Sequence, residues 1–334
     1  MDKNFWQKLK RPFFVLAPMA NVTDWAFRKI VAKCGRPDVF YTEFLSCDGI
    51  VYDKTKFEKE LYFEKSEKPI VVQFFGSKPE NFYKCAQLAV ELGFDGIDIN
   101  MGCPDRSVEK QGAGAALIKN PKLAKEIIKE TKRGARLNGQ DDLPISVKTR
   151  LGYNKIETKE WVSTLLEAEP AAIIVHGRTR KEMSSVPAHW DEIGTAADVA
   201  LALPASPNSL IHSSQGTKTL IIGNGDVVDL NDAKQKANDY GLDGVMVGRG
   251  IFANPWFFNE KIDISKIKPG QRTELMLEHI NLFLELWGEG KNFDTMKKFF
   301  KVYISGFDGA KELRTKLMVA KNKGEVVDIL SEML

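Results

Sequence analysis

The regular alternation of short apolar runs with segments of helical periodicity limits the fold of this chain more than any other feature. Eight runs have the composition of buried strands, because they are rich in apolar and β-branched residues and end at Gly, Asn or charged residues. Five of the seven intervals between their starts measure 24 to 30 residues, which fits one strand, one helix and two short loops. The predicted strands are 13–18, 39–43, 69–74, 96–100, 145–149, 172–176, 220–223 and 244–248.

Most of the intervals hold a segment in which apolar residues recur at helical spacing. The predicted helices are 24–34, 80–92, 121–134, 158–167 and 229–240. The two long intervals carry insertions, and one of them, 201–219, is rich in Pro, Ser, Asn and Gly, contains His212, and is expected to form a surface loop. Eight strand–helix units over about 250 residues predict an α/β TIM (β/α)8 barrel, because an open doubly wound sheet usually has fewer strands.

The pattern changes after Pro255, where helical spacing continues and strand-like runs almost disappear. The helical segments predicted there are 273–287, 295–304, 310–320 and 325–334. We therefore expect a barrel domain over residues 1–258, followed by a helical bundle domain over residues 270–334.

Composition excludes several classes of protein. The chain has 334 residues, of which 43% are hydrophobic and 28% charged, as in ordinary globular proteins. No stretch approaches the roughly 18 consecutive apolar residues that a membrane helix needs. The cysteines are far apart and include no C-x-x-C pair, which argues against a disulfide framework and against a zinc site. We expect a monomeric, cytoplasmic protein with no metal and no membrane segment.

Positive charge is concentrated near the C-terminus. Residues 291–323 hold nine Lys or Arg against three Asp or Glu, whereas the remainder holds 39 basic and 42 acidic residues. Such a stretch is typical of a surface that meets an anionic partner. Five aromatic residues are interleaved with these charges, and their helical spacing predicts that they form the core of the bundle rather than base-stacking platforms. They are Phe293, Phe299, Phe300, Tyr303 and Phe307.

The carboxyl ends of the predicted strands carry polar residues, and in a barrel these ends meet at one face. Cys103 follows the fourth strand in a Gly-Cys-Pro turn, where a rigid backbone can hold the thiol toward a ligand. With a reference pKa of about 8.5 this thiol is largely protonated at neutral pH, and it could act as a proton donor or as a nucleophile. Lys148 lies within the fifth strand, where a partly buried ammonium is costly unless an anionic or electron-rich group faces it.

Three further strand ends suggest a bound ligand. His176 ends the sixth strand, and it could either donate to a ligand ring or be a core imidazole. The turns Gly223-Asn224-Gly225 and Gly248-Arg249-Gly250 follow the last two strands, where barrels often bind phosphate through backbone N–H groups. Arg249 adds a guanidinium fork for phosphate oxygens. Together the two turns predict a phosphorylated ligand.

These motifs resemble those of the tRNA-dihydrouridine synthases, flavin-dependent enzymes that reduce uridine in tRNA. The resemblance runs through the barrel in the order of the family and does not rest on one motif. The segments that carry it are Leu16-Ala-Pro-Met-Ala-Asn-Val-Thr-Asp24, Asp98-Ile-Asn-Met-Gly-Cys-Pro104 with Gly112-Ala-Gly114, Val147-Lys-Thr-Arg150, Val175-His-Gly-Arg-Thr179, Ile222-Gly-Asn-Gly-Asp226 and Val247-Gly-Arg-Gly250.

The resemblance implies that FMN binds at the strand ends and that NADPH (or NADH) reduces it. Cys103 would be the catalytic acid, and a uridine flipped out of tRNA would be the substrate. The residues implied to bind FMN are Pro18, Met19, Ala20, Gln73, Lys148, His176, Asn224, Gly225, Asp226, Gly248 and Arg249. Asn100, Lys148 and Arg150 are implied to bind the uracil. The basic helical region would bind tRNA, with a salt-sensitive affinity. The 201–219 segment is longer than the family pattern suggests and puts details of tRNA docking in doubt.

Three other functions compete with this interpretation. A dihydroorotate dehydrogenase-like flavin barrel would share the phosphate turns and the lysine of the fifth strand, but it gives no reason for a basic helical region. A Schiff-base aldolase would use Lys148 as its nucleophile and contain no flavin. A non-catalytic tRNA-binding or folding protein would bind RNA independently of Cys103.

Overall fold

The computed structural model describes residues 4–136, 142–202 and 219–333. These residues divide into two compact units, each of which is described separately below. The first is built from the described residues up to Met19 and from Asp38 to Gly248, and the second from Ala20–Pro37 and from Arg249 onward.

The first unit is an eight-stranded parallel barrel. Its strands are β1 (Phe13–Leu16), β2 (Phe40–Ser46), β3 (Ile70–Phe75), β4 (Gly96–Met101), β5 (Ile145–Arg150), β6 (Ala172–His176), β7 (Leu220–Asn224) and β8 (Gly244–Val247). Each strand pairs in parallel with the next in sequence from β2 to β8, and β8 pairs with β1. A parallel bridge between Val15 and Val39 joins β1 to the residue before β2 and closes the sheet. The predicted TIM barrel is therefore confirmed.

Most of the helices between these strands begin at a capping side chain or a proline. They are α2 (Cys47–Tyr52), α3 (Pro79–Leu92), α4 (Arg106–Glu109), α5 (Pro121–Gly134), α6 (Thr158–Leu166), α7 (Trp190–Ala202) and α8 (Leu230–Asp239). Pro79 and Pro121 occupy first helical positions, where the missing N–H costs no hydrogen bond. Asp229 caps α8 by accepting from the backbone N–H of Asp232.

The barrel interior holds both apolar and polar side chains. Side chains from β1, β2, β3, β6, β7 and β8 form a buried apolar cluster that includes Phe13, Ile174 and Ile222. Polar side chains of β2 to β5, described below, are also buried there. At the amino ends of the strands, Asp95 and Asp243 accept backbone N–H groups of β3 and β7 at 2.9 and 2.8 Å. These carboxylates fix the strand starts on the side opposite the predicted site.

The second unit is helical. It contains α1 (Trp25–Cys34), α9 (Pro269–Trp287), α10 (Asp294–Lys297), α11 (Phe300–Tyr303), α12 (Ala310–Leu317) and α13 (Lys323–Met333). The Trp287 indole donates to the Asp24 carboxylate at 2.8 Å, and the Phe27 ring lies 5.0 Å from that of Phe299. Phe299, Phe300 and Tyr303 are buried, which confirms the predicted core role of these three, whereas Phe293 and Phe307 are half-buried.

Some sequence expectations differ from the structure. The predicted helix 295–304 is two short helices, because i→i−3 hydrogen bonds from Phe299 to Met296 and from Val302 to Phe299 interrupt the α pattern. The predicted loop 201–219 begins inside α7, since Leu201 and Ala202 are helical. Residues 203–218, with His212, lie outside the described residues.

The compact units also differ from the predicted domain boundaries in two stretches. Residues 20–37 and 249–258 group with the helical unit, although both were expected in the barrel domain. Residues 20–37 group there because α1 packs against α9, which begins more than 200 residues later in the chain, and residues 249–258 because the Phe252 ring stacks 5.9 Å from that of Phe299. Local periodicity identifies α1 as a helix but carries no information about this partner.

Candidate active site

Asn100 links the end of β4 to the loop that carries Cys103. Its Oδ1 accepts the backbone N–H groups of Gly102 at 3.1 Å and Cys103 at 2.9 Å. A helix α4, capped by Asp105, follows directly. The side chain at the strand end thus holds the turn and with it the position of the thiol.

Residues that follow the turn also hold Cys103 in place. The Ala115 N–H donates to the Cys103 carbonyl at 3.0 Å, at the start of the 3-10 helix Gly114–Lys119. Gly114 has a φ of +60°, and a Cβ there would lie 2.7 Å from the Cys103 carbonyl oxygen. Glycine is therefore required at this position on both conformational and steric grounds.

The Cys103 thiol is partly exposed, whereas Cys34, Cys47 and Cys85 are buried. Burial of the sulfur raises the pKa of Cys103, and the hydrogen bond to its sulfur from the Asp105 backbone and the charges of Arg150 and Lys148 only partly counteract this. The thiol therefore retains its proton at neutral pH, as a proton donor requires.

Lys148 supplies a cation that has no partner among the described residues. Its side chain is half-buried, and no hydrogen bond or ion pair to any described residue holds its ammonium. Burial lowers the pKa of Lys148 to about 8, with a further contribution from the positive charge of Arg150, while Asp98 acts in the opposite direction. An ammonium in these surroundings favours an anionic or electron-rich ligand.

Arg150, predicted to bind substrate, also holds the surrounding loops. Its Nε donates to the Gly102 carbonyl at 2.7 Å, and its Nη1 donates to the carbonyls of Thr179 and Met183 at 3.0 and 3.2 Å. Burial lowers the pKa of Arg150 to about 10, so it stays charged at neutral pH. Nη2 has no hydrogen-bond partner among the described residues and is the part of the guanidinium that could meet a ligand.

The ends of β6 and β7 are joined by an ion pair that the sequence prediction did not include. The buried Arg178 donates through Nη2 to the Asp226 carboxylate, which also accepts the Ala188 N–H at 2.9 Å. Arg178 Nη1 lies 3.3 Å from His176 Nε2. Asp226 and His176, both predicted to bind cofactor, are thus positioned by Arg178.

The glycine turns after β7 and β8 differ in their steric requirement. Gly225 has a φ of +131°, and a Cβ there would lie 2.9 Å from the Ala188 Cβ and 3.2 Å from the His176 ring. A Cβ on Gly248 would make only ordinary contacts, at 3.7 Å from Ala17 and 3.9 Å from Met19. Glycine is therefore required at position 225, whereas the surroundings of Gly248 would admit a Cβ.

The remaining predicted residues are placed as follows. Asn224 donates from Nδ2 to the Met246 carbonyl at 2.8 Å, which fixes its side chain across to β8. Pro18 is buried and Met19 half-buried, and both follow β1. Ala20 and Arg249 come next after Met19 and Gly248 in the chain and are counted with the second unit. Their part in a cofactor site stays a prediction.

Gln73 belongs to a buried hydrogen-bonded chain that sequence inspection missed. Its Nε2 donates to Asp98 at 2.7 Å, and its Oε1 accepts from Asn100 Nδ2 at 2.9 Å. Ser146 Oγ donates to the other Asp98 oxygen at 2.6 Å and lies 3.3 Å from the Tyr41 hydroxyl. A signal was available, because polar residues at positions 98 and 100 alternate with apolar ones in a strand otherwise buried on both faces.

Two kinds of feature are absent from the residues that the structure describes. None of their helices combines the length and apolar character that crossing a membrane requires. Within the same residues, no group of three or more His, Cys, Asp or Glu side chains could hold a metal ion.

Comparison with known proteins identifies the family. The model of the dihydrouridine synthase (Dus) family matches residues 15–334. The chain belongs to the dihydrouridine synthase family. It is 40% identical over 336 residues to the probable tRNA-dihydrouridine synthase 2 of Bacillus subtilis (strain 168), covering 99% of this chain and 97% of that protein. The probable tRNA-dihydrouridine synthase of Staphylococcus aureus (strain MRSA252) is also 40% identical, with 99% and 96% covered.

Membership in the dihydrouridine synthase family confirms the resemblance and the predicted enzyme class, a flavin-dependent oxidoreductase. It argues against the aldolase and against the non-catalytic RNA-binding protein. It also argues against the dihydroorotate dehydrogenase-like enzyme, because the match extends through the helical region to the last residue.

Proposed function

We propose that this dihydrouridine synthase acts on tRNA and reduces the C5=C6 bond of uridine with FMN and NADPH (or NADH), and that Cys103 donates the proton to C5. The observation that carries the proposal is the match of the whole chain to a family whose similar members are named as probable tRNA-dihydrouridine synthases. The site contributes a protonated thiol and an unpartnered ammonium at the same end of the barrel.

The residues at the strand ends fit a flavin nucleotide. Lys148 offers an ammonium that no described residue engages, and the surroundings of Gly248 would admit a Cβ at ordinary contact distances. The residues of the barrel unit that would hold FMN are Pro18, Met19, Gln73, Lys148, His176, Asn224, Gly225, Asp226 and Gly248. When bound, FMN reduced by NADPH supplies the hydride that C6 of the uracil accepts.

Cys103 keeps the proton that the reaction needs. Burial raises the pKa of its thiol, so Sγ holds a proton at neutral pH and can release it to C5 as C6 gains the hydride. Asn100 and the 3-10 helix behind the turn keep the sulfur in place, which lowers the entropic cost of proton transfer. Lys148 and the free Nη2 of Arg150 would bind the uracil carbonyls.

The second unit carries the charge expected for tRNA. A cavity of about 330 Å³ lies among its C-terminal helices, and its apolar lining residues are Phe300 and Met318. Four cations line it: Lys297, Lys301, Lys311 and Arg314. Lys297 is paired with Asp294 at 2.5 Å, whereas Lys301 and Lys311 form no ion pair with a described residue. Phosphate groups of tRNA would provide the missing counter-charge.

The decisive experiment measures dihydrouridine by nucleoside mass spectrometry after unmodified tRNA is incubated with the FMN-loaded protein and NADPH. Cys103→Ala should keep FMN and tRNA binding but lose at least about 100-fold in rate, the usual contribution of a general acid. Cys85→Ala, at a buried cysteine of α3, is the matched control.

Lys301→Glu with Lys311→Glu should weaken tRNA binding and make it less salt-dependent, whereas Lys84→Glu with Lys122→Glu on barrel helices should not.

Two results would overturn parts of the proposal. A protein that neither contains nor binds FMN, or that leaves uridine unreduced in every tRNA supplied, is not such a synthase. Undiminished turnover by Cys103→Ala would show that another group protonates C5.

A further inference from the structure

The barrel interior contains a continuous chain of polar side chains that ends at the backbone of Cys103. It starts at Tyr41 on β2, passes through Ser146 on β5 and Asp98 on β4, and continues through Gln73 on β3 to Asn100 on β4. All five side chains are buried. The contacts from Ser146 onward measure 2.6 to 2.9 Å, which are good hydrogen-bond distances.

Asp98 determines which atoms of the neighbouring amides donate hydrogen bonds and which accept them. An ionised carboxylate can only accept hydrogen bonds, so the Gln73 amide must turn its Nε2 toward Asp98 and its Oε1 toward Asn100. Asn100 must then donate from Nδ2, which leaves its Oδ1 to accept from the N–H of Cys103. With the reverse orientation, the Asn100 NH2 group would face that N–H, and two donors would meet.

The electrostatic surroundings keep Asp98 ionised at neutral pH. Burial raises the pKa of Asp98 to about 6, while hydrogen bonds from Ser146 and Gln73 and the charge of Lys148 lower it. The carboxylate therefore predominates at pH 7. Lys148 in turn is held more strongly as an ammonium by the charge of Asp98.

We propose that Asp98 is a positioning residue that orients Gln73 and Asn100 and thereby holds the Cys103 turn in a single arrangement. Its consequence for catalysis rests on the function proposed above, but the positioning itself is a property of the flavin-free protein. Asp98 touches neither the Cys103 sulfur nor, in this proposal, the substrate.

The test compares Asp98→Asn with the double variant Asp98→Asn, Gln73→Glu. In the single variant the neutral amide at position 98 can donate as well as accept. The donor–acceptor order of the hydrogen-bonded side chains can therefore reverse. In the double variant the carboxylate moves to position 73, where it accepts from the new amide at position 98 and from Asn100, so Asn100 again presents Oδ1 to Cys103. The swap therefore restores every donor–acceptor pair from position 98 to the Cys103 backbone.

Two readouts apply without flavin, NADPH or tRNA, so they are independent of the proposed function. Amide hydrogen exchange at Cys103 should be about tenfold faster in Asp98→Asn, the effect of losing one hydrogen bond, and should return to within about twofold of wild type in the double variant. The rate at which iodoacetamide alkylates the Cys103 thiol should likewise change in Asp98→Asn and return toward the wild-type rate in the double variant. Continued protection of Cys34, Cys47 and Cys85 shows that the protein is folded.

Asp243→Asn is the matched control, because Asp243 accepts the N–H of Ile221 in β7 but lies at the amino ends of the strands. It should leave exchange at Cys103 unchanged. A folded Asp98→Asn protein with wild-type exchange and alkylation at Cys103 would overturn the proposal. So would a folded double variant that exchanges as fast as the single one.

If Asp98→Asn does not fold, the pH dependence of the wild-type protein tests the proposal instead. The groups that face Asp98 are Tyr41 from β2, Gln73 from β3, and Ser146 and Lys148 from β5. Among these five side chains, Asp98 is the one whose charge changes substantially between pH 7 and 5. Protection of the Cys103 amide, corrected for intrinsic exchange, should fall as the pH drops through 6, and constant protection over this range would contradict the proposal.

Discussion

At the scale of single residues, Lys148 shows how an interior charge marks a binding site. A half-buried ammonium that no described residue engages reduces stability, and its lowered pKa reflects that cost. Neighbouring Arg150, by contrast, donates to three backbone carbonyls. The two cations of β5 therefore differ in role, because Arg150 maintains the loops and Lys148 is available to a ligand.

Lys148→Met should weaken FMN binding by at least about tenfold, because the ligand loses a charge-assisted contact. In the wild-type protein, affinity should decrease as the pH rises through about 8, since the ammonium loses its proton there, and the variant should lack this dependence. Quenching of FMN fluorescence between pH 7 and 9 measures both effects. Lys84→Met on α3 is the control, and equally tight FMN binding by Lys148→Met would refute the assignment.

At the scale of secondary-structure elements, glycines decide how closely helices pack on the barrel. Gly134 ends α5, and a Cβ there would lie 2.2 Å from the backbone oxygen of Tyr83 in α3. Gly93 follows α3 with a φ of +80°, yet a Cβ there would meet nothing within 4 Å. The first glycine is needed for close helix packing, and the second for a left-handed backbone.

We expect Gly134→Ala to destabilise the barrel by about 3 kcal/mol, because α3 and α5 must separate. Gly93→Ala should cost about 1 kcal/mol, the strain of a left-handed alanine. The larger loss of stability expected for Gly134→Ala is informative, because alanine is normally favoured over glycine within a helix. Urea unfolding followed by circular dichroism measures both variants, and a neutral or stabilising Gly134→Ala would show that the helices are not in close contact.

At the scale of the whole molecule, the second unit is assembled from two distant stretches of chain. Phe27 and Ile30 of α1 are fully buried, and the Phe27 ring lies 5.6 Å from that of His279 in α9. Burying each such side chain contributes about 1.5 to 3 kcal/mol. The helical unit therefore cannot be removed by cutting the chain at one point.

A chain ending at residue 268 should consequently aggregate or bind the dye ANS, because α1 would lose α9 and the Phe299 ring and expose its apolar face. The full-length Lys301→Glu, Lys311→Glu protein is the control, since it changes surface charge without removing a helix. A soluble truncated protein that melts cooperatively, at the same temperature as the full chain and without binding ANS, would contradict this expectation.

Most elements of the barrel were predictable from the sequence for a physical reason. A strand or helix of this length has a local periodicity of two or 3.6 residues, and turn-forming residues close it within a few positions. All eight strands and the helix Pro121–Gly134 were found in this way. Cys103 and Lys148 were found because a polar residue in or after a buried strand stands out from its neighbours.

The sequence by itself therefore determined the alternation of strands and helices, the barrel that follows from their number, and the motifs at the strand ends. Only the tertiary structure decided which side chains share the interior, since barrel closure brings Tyr41 to Ser146, 105 positions away. The same holds for the Arg178 pair with Asp226 and for the place of α1 in the second unit. Hydrogen bonds and packing of this kind depend on strand register and chain closure, which no local pattern of residues encodes.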